Sequence, residues 1–261
     1  MKLLKITGHL LFILLLTALT QVGGLIWVVS ILISYKTKKR KRIVFPLLYL
    51  AFNLFIIPPI AKTFGREPLP VFSKELKPRN WVYPLFFRNY VNPILKIELE
   101  DSAHVFFMSQ NTSITYLDAN FPFLNGFPLM PHLSHNDGKK IDIAFMYLDE
   151  ENNSTNKKPS LSGYGVYTNS KNNYTAKSCI KKGYWQYDFS KYLTFGTINN
   201  LKLDNKKTTH LLLQLLSKTS IQKIFIEPHL KQTLGLKNEN KIRFHGCGAV
   251  RHDDHIHLQI K

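Results

Sequence analysis

Residues 251–260 read Arg-His-Asp-Asp-His-Ile-His-Leu-Gln-Ile (RHDDHIHLQI), and their alternation sets the fold class. His255 to Ile260 has the period of a β-strand, so His255 and His257 project from one face about 7 Å apart, within reach of one metal ion. Asp254 has the opposite strand parity and points elsewhere if the strand is regular. A second cluster, residues 131–142 (PHLSHNDGKKID), sets His132 and His135 ahead of an Asp137-Gly138 turn and ends on Asp142, inside the β-rich run Ile141 to Tyr147. Folding back through Gly138, which supplies positive φ, brings His135 towards Asp142. Three ligands are then available: His135, Asp142 and one of the strand histidines. Three protein ligands with an open fourth position suit catalytic zinc, whereas a structural site is closed by four.

Around these clusters the patterns are mixed. Ile94 to Glu100 (ILKIELE) alternates as a strand, His104 to Met108 is a short apolar run, and Thr209 caps a helix over His210–Lys218. Lys223 to Ile226 reads as a strand ending at Glu227-Pro228, where Pro opens a helix. The expected class is α+β, an antiparallel-rich sheet with flanking helices. Glu150 to Ser160 is polar and of low complexity, a surface loop.

The chain has 261 residues, 44% of them hydrophobic, which excludes a disordered tail and leaves ample material for a core. Two cysteines cannot build a four-thiolate site, so a metal must use the ten histidines and the carboxylates. Cys179 and Cys247 are either a bridge bracing the second cluster or two separate buried thiols. Asp253 and Asp254 read as solvated turn acids, and Tyr184, Trp185 and Tyr187 as aromatic core or a stacking wall.

The net charge of +18 is uneven: residues 1–66 hold ten of the 35 basic residues and no Asp or Glu. Ile6 to Tyr35 is uncharged, as is Ile43 to Ala61, and a spanning helix needs about 20 apolar residues. Two transmembrane helices are expected, joined by Lys36–Arg42, which carries six cations. By the positive-inside bias that loop is cytoplasmic, which places the N-terminus and everything beyond residue 66 outside, on the periplasmic side. Apolar flanks argue against reading the basic run as a nucleic-acid patch, so no nucleic-acid partner is expected. Residues 1–66 are read as a membrane anchor, 67–93 as a Pro- and aromatic-rich linker, and 94–261 as the catalytic domain.

His-x-x-Gly-x-x-x-Asp followed far downstream by His-x-His resembles the zinc peptidases that group lysostaphin-type enzymes and D-Ala-D-Ala carboxypeptidases. It is most similar to the penicillin-insensitive murein endopeptidase, on the strength of His132 with His135, and of His252, His255 and His257. Residues 223–231 (KIFIEPHLK) also resemble that family's segment between the clusters, and the likeness covers about residues 95–261. The resemblance implies that His135, Asp142 and His257 bind Zn2+, that His255 is the acid/base or stabilises the transition state, and that His132 and His252 line the site. Carboxypeptidase relatives carry a Glu general base at the offset held here by Asp254, which leaves His252 and Asp254 as alternatives to His255. Lys139 and Lys140 depart from the small or apolar residues usual there. The activity implied is hydrolysis of peptidoglycan peptide cross-links by a zinc-activated water; a non-hydrolytic wall-binding domain and a D-Ala-D-Ala carboxypeptidase are the alternatives.

Overall fold

The computed structural model describes residues 2–168 and 173–261. Its N-terminal part is built from α1 (Lys2–Thr20), α2 (Gly23–Thr37), α3 (Lys41–Ala51) and α4 (Ile57–Thr63), the last two made continuous by a π-helical turn over Phe52–Ile56. Among the described residues two helices are apolar and long enough to cross a membrane, Leu3–Thr20 and Lys41–Thr63. The single pass expected over Ile6–Tyr35 is instead a hairpin. Gln21, at φ 64°, ends α1, and α2 folds back along it. Gly24 permits the close approach, since a Cβ there would stand 2.7 Å from the Ile13 carbonyl oxygen. His9 of α1 lies 3.3 Å from the Trp27 indole nitrogen of α2 and 3.0 Å from the Lys41 ammonium at the start of α3.

Lys5 and the run Lys36–Arg42 thus gather at one end of three antiparallel helices. At the other end the Gln21 side chain accepts a hydrogen bond from the Phe123 amide at 2.9 Å. The N-terminus and the C-terminal part, expected on the same side, lie at opposite ends of this bundle. A 30-residue uncharged run admits one long helix or two short ones, and the tight Gly23-Gly24 contact decides for two.

The stretch 67–93 packs on the domain. β1 (Glu67–Pro68) pairs antiparallel with β3 (Tyr90–Val91), β2 (Leu76–Pro78) joins the main sheet, and α5 (Val82–Leu85) is a single turn between them. Next comes α6 (Pro93–Gln110), where a strand was expected over Ile94–Glu100. Asn92 caps it by accepting from the Ile94 amide, Pro93 opens it, and Leu95, Leu99, Ala103 and Phe106 are buried at helical spacing. The alternation of ILKIELE was too short to outweigh the cap and the longer period.

β4 (Ile114–Tyr116) and β5 (Lys140–Ala144) follow, then β6 (Tyr147–Leu148), which pairs with β7 (Ser154–Thr155) inside the expected surface loop and with β8 (Lys202–Leu203). Between β7 and β8 lies α7 (Tyr174–Lys181). α8 (Asn205–Leu216) starts earlier than expected because Asp204, not Thr209, caps it, accepting from the Lys207 amide. β9 (Ile221–Phe225), α9 (Pro228–Thr233), β10 (Ile242–Arg243) and β11 (His255–Ile260) complete the chain.

The six-stranded sheet runs β10-β9-β11-β5-β4-β2, antiparallel in the middle and parallel at both edges. Its two faces differ. Ile141, Ile143, Ile256 and Leu258 pack with Leu99 and Phe106 of α6 and Leu211 and Leu215 of α8 in the main core. The opposite parity carries Asp142 on β5 and His255 and His257 on β11. In register, Asp142 lies opposite His257 and Ala144 opposite His255. Cys179 of α7 is bridged to Cys247, which ties α7 to the segment entering β11.

Candidate metal centre

The first cluster sits in the loop between β4 and β5, which is fastened from below. Arg66, buried just beyond α4, donates to the carbonyl of Phe121 and to Asn125. The His135 amide donates to the His132 carbonyl at 2.9 Å, a tight turn that brings the two rings to 5.5 Å. Gly138, at φ 80°, donates its amide to Asn120 and receives the Asn92 amide on its carbonyl; a Cβ would stand 3.1 Å from Arg66 Nε.

Three donor atoms meet where this loop crosses the sheet. His135 Nε2 lies 3.0 Å from His257 Nδ1 and 3.2 Å from Asp142 Oδ1, and His257 Nδ1 is 2.9 Å from that oxygen. His135 Nδ1 is 2.7 Å from the Ala119 carbonyl, which requires its N–H there and leaves the Nε2 lone pair facing the cluster. All three residues are buried. Tetrahedral donors at zinc-ligand bond lengths of about 2.05 Å stand about 3.3 Å apart, close to these separations. The set of two imidazoles and one carboxylate is thus geometrically able to coordinate a divalent metal ion.

A second group, His132, Asp142 and His255, shares the carboxylate but is looser: His132 Nδ1 is 3.3 Å and His255 Nε2 is 3.6 Å from Asp142 Oδ2. Burial would raise the Asp142 carboxyl, but His135, His255 and His132 hold it well below the usual range. Burial lowers His257 to about 3 against the pull of Asp142. For His255 burial also acts downward, yet Asp142 and Asp254 outweigh it and push the ring up to about 9.

Asp254 does not turn to the cluster. Its Oδ1 is 2.5 Å from His255 Nδ1 and its Oδ2 accepts from the Gly165 amide at 2.6 Å, so it orients His255 and leaves Nε2 facing inward. Asp253 and Asp254, expected as solvated turn acids, are both fully buried. Arg251 bonds Asp253 through Nε at 2.6 Å and lies 3.7 Å over the Tyr167 ring. Burial raises Asp253 to about 7 despite that partner. His252 stands beside His255, with ring centroids 4.9 Å apart, and burial with the neighbouring imidazoles keeps it well below its usual value.

A cleft of about 220 Å³ opens over His132, His252 and His257, with Pro131, Leu133 and Gln186 on its rim. A larger depression of about 470 Å³, between Asp149 and Leu201, holds no histidine. Tyr187 is buried and donates to Glu227 at 2.7 Å, while Tyr184 and Trp185 are exposed, so the trio forms neither a shared aromatic core nor a common wall.

Four contributors escaped the sequence reading. Arg88 Nε is 2.6 Å from Asp118 Oδ1, and Asp118 Oδ2 is 3.0 Å from His132 Nδ1. The Tyr164 hydroxyl donates to Asp142 Oδ2 at 2.7 Å. His245 also lines the cleft. Each is isolated in sequence and belongs to no local pattern.

No protein-family model matches the chain, and no curated protein matches it.

Proposed function

We propose that the protein is a membrane-anchored zinc peptidase of the murein endopeptidase type, which hydrolyses peptide cross-links of peptidoglycan. The observation that carries this reading is the convergence of His135 Nε2, Asp142 Oδ1 and His257 Nδ1 within 3.2 Å beside a carboxylate-backed His255. Residues 1–66 are the anchor, 67–93 a connecting stretch and 94–261 the catalytic domain. The basic loop Lys36–Arg42 is cytoplasmic and the N-terminus lies with it, leaving the domain on the periplasmic face.

His135, Asp142 and His257 would hold the Zn2+, which when bound would supply Lewis acidity towards a water and a substrate carbonyl. His255 is the group that carries a proton to the leaving amine: Asp254 fixes its Nδ1, and its Nε2 has no hydrogen-bond partner among the described residues. Asp254, turned onto His255 and Gly165, serves it by positioning. His132 and His252 line the cleft, and Gly138 shapes the turn that presents His135. Pro131 and Leu133 give the rim an apolar side suited to a small aliphatic side chain.

The test uses the full chain in detergent with cross-linked murein. Zinc-loaded protein should release uncross-linked muropeptides, and EDTA should abolish the release. Binding without turnover by zinc-loaded protein would refute the hydrolase, and loss of a single terminal D-Ala with cross-links intact would reassign it as a carboxypeptidase.

A further inference from the structure

The α5 turn lies in the connecting stretch that packs on the domain, yet its tip sits among the membrane helices. Leu85 and Phe86 line an apolar groove of about 370 Å³ with Leu16 and Leu19 of α1 and Phe45 and Leu50 of α3. The tip carbonyls are satisfied from α3 and the π-helical turn that continues it. The Asn53 amide donates to Pro84 O at 2.9 Å, and the Tyr49 hydroxyl donates to Leu85 O at 2.9 Å. Non-helical backbone is tolerated at hydrocarbon depth only where protein groups meet its polar atoms, which these two side chains do. On the flank, Trp81 is 59% exposed and its ring lies 5.4 Å from that of Phe72, 82% exposed. An exposed pair of large aromatic rings suits the headgroup level.

We propose that Trp81–Phe87 is a membrane-inserted turn whose partner is the acyl-chain region of the leaflet on the domain side. The proposal rests on reading α1–α4 as membrane-embedded. It also places the cleft near the lipid surface, because Arg88, the next residue, holds Asp118 and through it His132.

The three tryptophans, Trp27 in α2, Trp81 in the turn and the exposed Trp185, make the test direct. The full chain is reconstituted in phosphatidylcholine vesicles with acyl chains brominated near the headgroup or near the bilayer centre. In the Trp27→Phe/Trp185→Phe protein, shallow bromine should quench the Trp81 emission and deep bromine should quench it less, as for a ring at the headgroup level. Comparing the wild type with Trp81→Phe reads the same component with Trp27 left in place. Trp81 emission indifferent to bromine while Trp27 is quenched would overturn the proposal. Trp27 indifferent as well would overturn the membrane reading beneath it.

Discussion

Tyr164→Phe deletes one oxygen atom and keeps the ring that packs against His132 and His255, with centroids at 4.8 and 5.0 Å. That oxygen donates to Asp142 Oδ2 at 2.7 Å and accepts from the Asp118 amide at 3.1 Å, at a fully buried site. A hydrogen bond to a charged group contributes about 1.5–3 kcal/mol, and an amide left unpaired costs about 1–3 kcal/mol. The amide cost falls on the metal-free and the loaded protein alike, so it cancels in metal affinity. The lost restraint on the carboxylate does not cancel, because Oδ1 must then be aimed at the ion without it. Metal affinity should fall about 10- to 100-fold, the range for partners that orient a ligand. Competition against a chromophoric chelator measures this, and urea unfolding of the metal-free protein measures the amide cost separately. Affinity unchanged within about twofold would refute the assignment of Asp142 as a ligand oriented by Tyr164.

For the cluster itself, His135→Ala, Asp142→Ala and His257→Ala should each lower zinc content, while His255→Ala keeps zinc and loses about 10²- to 10⁴-fold in turnover. Loss of zinc in His255→Ala would move the ion to the His132 group. Replacing both Cys179 and Cys247 by Ser frees a separation of 68 residues and should lower stability by about 4 kcal/mol, read by urea unfolding. Burial would raise Asp118, but Arg88 and His132 outweigh it and hold its pKa below the ordinary 3.8. A depressed carboxyl stabilises the fold above that value, and the gain is lost as pH falls through the folded pKa. Arg88→Leu should therefore raise the midpoint of acid unfolding followed by circular dichroism; an unmoved midpoint would show that the pair does not set it.

Much of the centre was legible because its parts are local. Period two alone places His255 and His257 on one face, and the positive φ at Gly138 follows from its turn. The alternation over Ile94–Glu100 misled because a seven-residue window cannot show that Leu99, Ala103 and Phe106 continue a helical stripe. Asp118, Arg88 and Tyr164 left no trace, since each meets the cluster from a different part of the chain and carries no spacing to read.

The sequence by itself determined the apolar spans, the basic loop between them and the two histidine clusters, because hydropathy and periodicity are set by near neighbours. Only the tertiary structure decided that the first uncharged run turns back at Gln21, that Asp254 is held by the Gly165 amide so as to brace His255, and that the α5 turn reaches among the helices. Those outcomes depend on close packing between segments far apart in the chain, at Gly24 against Ile13, at Asp254 against Gly165 and at Leu85 against Tyr49.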